Sequence, residues 1–217
     1  MTPVVPRVLI ATFNPGKARE LARLLAPAGV ALVTPGDLGV RQPYEETGAN
    51  YEENAREKAI HYATLAGLAA LADDSGLEVD ALGGPAGPLS ARYGGTGLDD
   101  AGRCRLLLHE LGAIPEARRT ARYVAVAALA RPAAPGGALR PPPDTRLFRA
   151  TCEGRIAAAM RGARGFGYDP IFYFPPFGAT FGEVEDARKD RVSHRGLALA
   201  AVSAFLKTPE GLAFFDE

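Results

Sequence analysis

The segment Leu68-Ala69-Ala70-Leu71-Ala72 runs straight into Asp73-Asp74-Ser75-Gly76, and that junction limits what the chain can fold into. A short apolar run stopped by turn-forming residues reads as a buried strand. Such strands belong to α/β sheets covered by helices, where ligands bind beyond the strand ends. Apolar residues before the two carboxylates leave at least one of them partly buried, and a buried charge is costly unless it is paired or bound to a metal ion. Mg²⁺ suits the position, because it takes one or two carboxylates together with phosphate oxygens and water. Asp-Asp-Ser-Gly is also good turn chemistry in its own right. These four residues alone therefore leave an acidic turn and a metal site equally open.

The neighbouring sequence supports a mixed α/β protein. Val8-Leu9-Ile10-Ala11 is a short buried strand, broken by Thr12-Phe13-Asn14-Pro15-Gly16. Leu21, Leu24 and Leu25 then recur at helical spacing to about Ala28, and Ala31-Leu32-Val33 is a second strand. Tyr51, Ala55, Ala59, Tyr62, Ala63 and Ala66 share one helical face, with Asn54 and Lys58 one turn apart beside it. Leu77 and Val79 alternate as a half-buried strand, and Asp99 or Asp100 caps a helix carrying Leu106, Leu107, Leu108 and Leu111. Tyr123 to Leu129 and Ile171 to Phe174 are strand-like. Ser193 caps a last helix with Leu197, Ala201, Ala204 and Phe205 inward. The aperiodic stretch at 133–143 reads as an exposed Pro/Gly-rich hairpin loop rather than a linker, so residues 1–217 are expected to form one domain of two lobes. Strands and helices alternate early and antiparallel-looking strands gather late, which calls for a long mixed central sheet.

Composition removes several classes of function. Lys plus Arg and Asp plus Glu each number 25, so the net charge is zero and no global field draws the chain onto nucleic acid or an anionic membrane. Cys104 and Cys152 are far apart and the three histidines are scattered, which leaves no zinc-ligand spacing. No apolar run approaches the roughly 18 residues of a membrane span, and no leader pattern opens the chain. A cytoplasmic protein is expected.

Other segments carry chemistry-bearing residues. In Thr12-Phe13-Asn14-Pro15-Gly16-Lys17 a strand ends, a glycine-containing loop follows and a helix begins at a lysine, an arrangement that favours anions. It is not a Walker A loop, which would need glycine at position 11 and Ser or Thr at 18, both of which are alanine. Glu45 and Glu46 form a second acidic pair in a loop. Gly165-Phe166-Gly167-Tyr168-Asp169-Pro170 places two aromatics and an acid among glycines, where a ring can stack on a base and a carboxylate can read its edge. Lys189 and the Ser193-His194-Arg195 helix start repeat the anion-binding logic. Each segment alone also fits an ordinary turn, cap or solvated pair.

Their order along the chain is more telling. Ala11 to Lys17, Glu53-Asn54-Ala55 with Lys58-Ala59, Ala72 to Leu77, Ser90-Ala91-Arg92-Tyr93, Gly165 to Pro170 and Ser193-His194-Arg195 follow one another in a pattern that resembles the inosine triphosphate pyrophosphatase family. This is the family of dITP/XTP or non-standard purine NTP pyrophosphatases, and the bacterial branch is the nearer match. The likeness runs from about Val8 to Leu206. It implies two α/β lobes flanking a nucleotide-binding cleft, a homodimer, and Mg²⁺-dependent cleavage of ITP, dITP and XTP to the monophosphate and pyrophosphate.

Position by position, the resemblance makes Thr12, Phe13, Asn14, Pro15, Gly16 and Lys17 hold the triphosphate. Asp74 becomes catalytic base and metal ligand, with Ser75 touching substrate and a glutamate of the pair Glu45 and Glu46 as the other ligand. Phe166, Gly167, Tyr168 and Asp169 hold the base, one aromatic stacking on it, and Lys189, His194 and Arg195 complete the pocket. Gly83-Gly84-Pro85-Ala86-Gly87 departs from the family's usual Gly-Gly-x-Pro-Gly, and the 133–143 stretch is longer and richer in proline than is typical. Two rival functions are a Maf-like pyrophosphatase for pyrimidine or modified nucleotides and a nucleotide-binding module without turnover.

Overall fold

The computed structural model describes residues 5–83, 90–95, 97–132 and 144–215. The expected loop at 133–143 and the departure at Gly84 to Gly87 lie outside the described residues.

Strand β1 (Arg7–Ile10) pairs in parallel with β2 (Ala31–Val33) and with β3 (Ala69–Val79), so that Leu9 lies opposite both Val33 and Ala70. The other strands are β4 (Thr120–Ala130), β5 (Thr145–Ile156), β6 (Phe172–Phe174) and β7 (Ala179–Thr180). They complete one seven-stranded sheet in the order β2-β1-β3-β4-β5-β6-β7. β6 is antiparallel to β5 and to β7, so the sheet is mixed, as the late clustering of strands implied.

The helices begin where the sequence supplies caps. Asn14 caps α1 (Pro15–Leu25), with Pro15 in the first turn where its missing N–H costs nothing. Asn50 caps α2 (Tyr51–Ala66), and Asp99 caps α3 (Asp100–Glu110). Short α4 (Asp186–Lys189) precedes α5 (His194–Phe205), where Ser193 Oγ accepts from the Gly196 N–H at 3.1 Å. A further short helix, α6 (Pro209–Leu212), follows. Among the described residues no single helix is long and apolar enough to cross a membrane.

The chain divides into two compact units. One comprises residues 1–74, 126–149 and 198–217; the other comprises 75–125 and 150–197. One of the four boundaries falls between Asp74 and Ser75. In the second unit the core joins Leu77, Val79, Leu107, Leu111, Tyr123, Ile156, Tyr168, Phe172 and Phe181.

Two sequence expectations are corrected. Asp73-Asp74-Ser75-Gly76 is not a turn: β3 runs unbroken through it from Ala69 to Val79. Turn preference is local, and here both flanks, Ala72 and Leu77, are fully buried in the sheet, so strand pairing overrides it. The face of α5 is also shifted. Ala198, Leu199, Val202 and Leu206 are buried, whereas Leu197, Ala201 and Ala204 are exposed. The helix is apolar almost all round, so its pattern does not choose a phase.

Candidate active site

In the first unit the residues between β1 and α1 are set by a helix cap. Asn14 Oδ1 accepts from the N–H groups of Gly16 at 2.8 Å and Lys17 at 3.1 Å, and Thr12 Oγ1 accepts from the Asn14 N–H at 3.2 Å. The cap turns Lys17 toward β3, where its Nζ sits 2.8 Å from Asp73 Oδ2 and 3.4 Å from the Asp73 carbonyl oxygen. Phe13 stands at the same loop with 40% of its surface exposed.

Helix α2 supplies two buried polar side chains. Asn54 Nδ2 donates to Asp74 Oδ2 at 3.0 Å while its Oδ1 accepts from the Gly48 N–H at 2.8 Å. Lys58 Nζ donates to the Asp73 carbonyl oxygen at 2.8 Å and pairs with the Glu46 carboxylate. One helix turn therefore ties the acidic loop to the acidic strand. Glu46 is half-buried in this arrangement and Glu45 is exposed.

Asp74 is 3% exposed, and its carboxyl is pushed up to about 6. Burial is the main cause, and the Glu46 charge adds to it; Lys17, Lys58 and the Asn54 hydrogen bond pull the other way. Among the described residues no group of three or more His, Cys, Asp or Glu side chains forms a metal cage. Asp74 and Glu46 are the carboxylates that could hold a metal ion here, with Asp73 engaged by Lys17. Two carboxylates without an all-protein cage fit Mg²⁺, which completes its shell with phosphate oxygens and water.

In the second unit Asp169 organises the loop after Gly165. Its Oδ2 accepts from the Phe166 N–H at 3.0 Å and lies 2.6 Å from Lys189 Nζ, both side chains being buried. Gly165 has φ +72°, and a Cβ there would sit 1.9 Å from that same oxygen, so glycine is required. The two aromatics part company. Tyr168 turns into the core and donates its hydroxyl to the Ser90 carbonyl oxygen at 2.7 Å, whereas Phe166 stays half-buried with Lys189 and Arg195 at 5.4 and 5.6 Å from its ring centre. Arg195 also donates to Ser75 Oγ at 2.7 Å.

The His194 ring stacks on Tyr123, centroids 4.4 Å apart and planes 10° from parallel. Burial holds the Tyr123 phenol well above its ordinary value, so its hydroxyl keeps the proton it donates to Asp169 Oδ1 at 3.4 Å.

The structure therefore gathers Lys17, Asp73, Asp74 and Glu46 in one unit, and Ser75, Phe166, Asp169, Lys189, His194 and Arg195 in the other. Glu45 stands apart in exposure, and Tyr168 faces the core. Sequence reasoning gave no role to Asn54, Lys58 or Tyr123. Asn54 and Lys58 had a signal, two polar groups beside an apolar helical face; Tyr123 looked like any strand residue.

A lysine at a capped helix start beside buried carboxylates in one unit, and an aromatic, hydrogen-bonding loop in the other, suit an α/β nucleotide-processing protein. Comparison with known proteins narrows that class. The chain belongs to the Ham1 family, whose model matches residues 8–205. It is 48% identical over 196 residues to a dITP/XTP pyrophosphatase of Thermus thermophilus, covering 90% of this chain and 89% of that one. The dITP/XTP pyrophosphatase of Yersinia pseudotuberculosis is 47% identical over 193 residues, covering 89% and 94%. Among solved structures, a HAM1 protein from Coxiella burnetii superposes with a TM-score of 0.81 at 37% identity, covering 93% of this chain and 98% of that one.

Proposed function

We propose that this chain hydrolyses ITP, dITP and XTP to the monophosphate and pyrophosphate, clearing deaminated purines from the nucleotide pool. The observation that carries the reading is Asp74, a strand carboxylate that burial pushes up to about 6 against the pull of Lys17, Lys58 and the Asn54 hydrogen bond. It stands in a chain whose relatives are dITP/XTP pyrophosphatases. The Ham1 match favours this reading over a Maf-like one.

Asp74 orients a water against the α-phosphorus and takes its proton. A P–O bond forms, the bridging bond to the β-phosphate breaks, and pyrophosphate leaves. A base with a pKa near the working pH is suited to this transfer. Lys17 and the Thr12–Gly16 loop hold the triphosphate in line, so positioning and electrostatics supply most of the rate. Asp74 and Glu46 would hold Mg²⁺, which when bound neutralises charge on the leaving pyrophosphate.

In the second unit Phe166 stacks on the base, Ser75 touches the substrate, and Lys189, His194 and Arg195 complete the pocket. Donors aimed at a 6-oxo group are left mismatched by the amino group of adenine, at about 1–3 kcal/mol per lost bond. The chain works as a cytoplasmic homodimer; light scattering reads the dimer directly.

The test is pyrophosphate release with Mg²⁺ from ITP, dITP and XTP beside GTP, dTTP and UTP. The first three are expected to be cleaved fastest. No release from any of them, or a preference for dTTP or UTP, sinks the proposal.

A further inference from the structure

Helix α3 contacts the loop after Gly165 at one residue, Gly167, through both its N–H and its C=O. Asp100 Oδ2 accepts from the Gly167 N–H at 2.7 Å. Cys104, one helical turn further along and fully buried, places its Sγ 3.4 Å from the Gly167 carbonyl oxygen, within donating distance of the thiol. Burial pushes the Cys104 thiol up to about 12, so it keeps the hydrogen it donates. Asp100 stands in the first turn of α3, where a carboxylate suits the helix dipole. Asp100 is not needed to start the helix, because Asp99 is the cap and accepts from the Gly102 N–H at 2.7 Å.

Gly167 lies next to Phe166, the proposed stacking ring, and two residues before Asp169, which fixes the Phe166 N–H. Gly167 has φ +61°, a conformation with little steric preference of its own in glycine, so the loop needs outside contacts to keep one shape. Asp169 accepts from the Phe166 N–H, and α3 holds the next two peptides along.

We infer that Asp100 and Cys104 are positioning residues for base recognition, holding Gly167 at both its N–H and its C=O so that Phe166 keeps a single stacking geometry. The inference rests on the proposed function for what it positions the loop to bind, and on the geometry alone for the clamp itself.

Two measurements separate those layers. The first needs no nucleotide: hydrogen exchange at the Gly167 amide is expected to quicken about tenfold or more in Asp100→Ala, and to stay near wild type in Asp100→Asn, whose amide oxygen still accepts. The second is turnover of ITP with Mg²⁺. Asp100→Ala should raise KM about tenfold with kcat within about twofold, and Asp100→Asn should restore KM. Inhibition by inorganic tripolyphosphate, which has no base to stack, should be the same in all three proteins. Cys104→Ala should raise KM in the same direction by a smaller factor, and Cys104→Ser should not.

Unchanged Gly167 exchange in Asp100→Ala overturns the clamp. Faster exchange with a wild-type KM, or a tripolyphosphate constant that weakens in step with KM, overturns the positioning role. A wild-type protein that leaves ITP intact refutes the proposed function and the purine role together, while the exchange result still decides the clamp.

Discussion

Lys17 Nζ lies 2.8 Å from Asp73 Oδ2, joining the start of α1 to the middle of β3 through an ion pair in which the carboxylate is almost wholly buried and the lysine keeps 18% of its side-chain exposure. The pair places an ammonium beside Asp74 without spending the Asp74 carboxylate on it. It also gives Lys17 a structural duty beside the one proposed for it toward phosphate.

Those duties separate on mutation. Removing one partner of a buried pair costs about 3–5 kcal/mol, and the exposure of Lys17 brings the expected loss for Lys17→Met down to about 2 kcal/mol. Its turnover should fall as well. Adding Asp73→Asn removes the second charge, so the double variant should regain much of the stability in a urea titration while its turnover stays low. Recovery of both would mean that Lys17 matters only as the partner of Asp73.

Asp74 is predicted to cost stability and supply activity. Its carboxyl is raised from 3.8 to about 6, chiefly by burial, equivalent to on the order of 3 kcal/mol. The sign follows from linkage: the folded chain holds the proton more tightly than the unfolded chain. The cost is absent at acid pH, grows as pH rises from about 4 to about 6, and is constant above that. Asp74→Asn should therefore raise the thermal midpoint of the ligand-free, metal-free protein near neutral pH, with a gain that shrinks toward pH 4. The same variant should lose roughly 10²-fold or more in turnover, and wild-type turnover should fall below about pH 6 as Asp74 protonates. Near-wild-type turnover in the variant removes Asp74 from the chemistry.

Much of this arrangement was legible in the sequence, for physical reasons that differ by residue. Asn14-Pro15-Gly16 announces a capped helix start locally, and the structure has one at Pro15. Asp73 to Gly76 misleads, because turn preference is also local while the strand is held by its buried flanks. Contacts such as Gly167 with Asp100, 67 residues away, and Tyr123 with Asp169, 46 away, exist only once the chain is folded. Nothing in the sequence around Tyr123 marks it as more than a strand residue, and nothing near Asp100 marks it as more than a helix-start acid.

The acidic loop offers a choice that the sequence left open between Glu45 and Glu46. Lys58 pairs with Glu46, and the Glu46 charge acts on Asp74; Glu45 is exposed. Glu46→Gln should raise the Mg²⁺ concentration needed for half-maximal turnover about tenfold or more, and Glu45→Gln should leave it near wild type. The reverse ranking in a Mg²⁺ titration would assign the metal to Glu45.

The two aromatics of the loop should behave oppositely. Phe166 is half-buried, with the Lys189 ammonium and the Arg195 guanidinium at 5.4 and 5.6 Å from its ring centre, a face already suited to an electron-rich heterocycle beside it. Stacking of one base on an aromatic is worth about 1–3 kcal/mol by alanine substitution, so Phe166→Ala should raise KM for ITP by roughly 10-fold or more. Tyr168 is buried, and its hydroxyl serves the Ser90 carbonyl oxygen. Tyr168→Phe should cost about 1 kcal/mol of stability and leave KM close to wild type, because the ring stays in the core and only a buried hydrogen bond is lost. Phe166→Tyr should retain most of the affinity, since the stacking face is kept. If Tyr168→Phe raised KM as much as Phe166→Ala, the stacking face would have to be sought on the other side of Gly167.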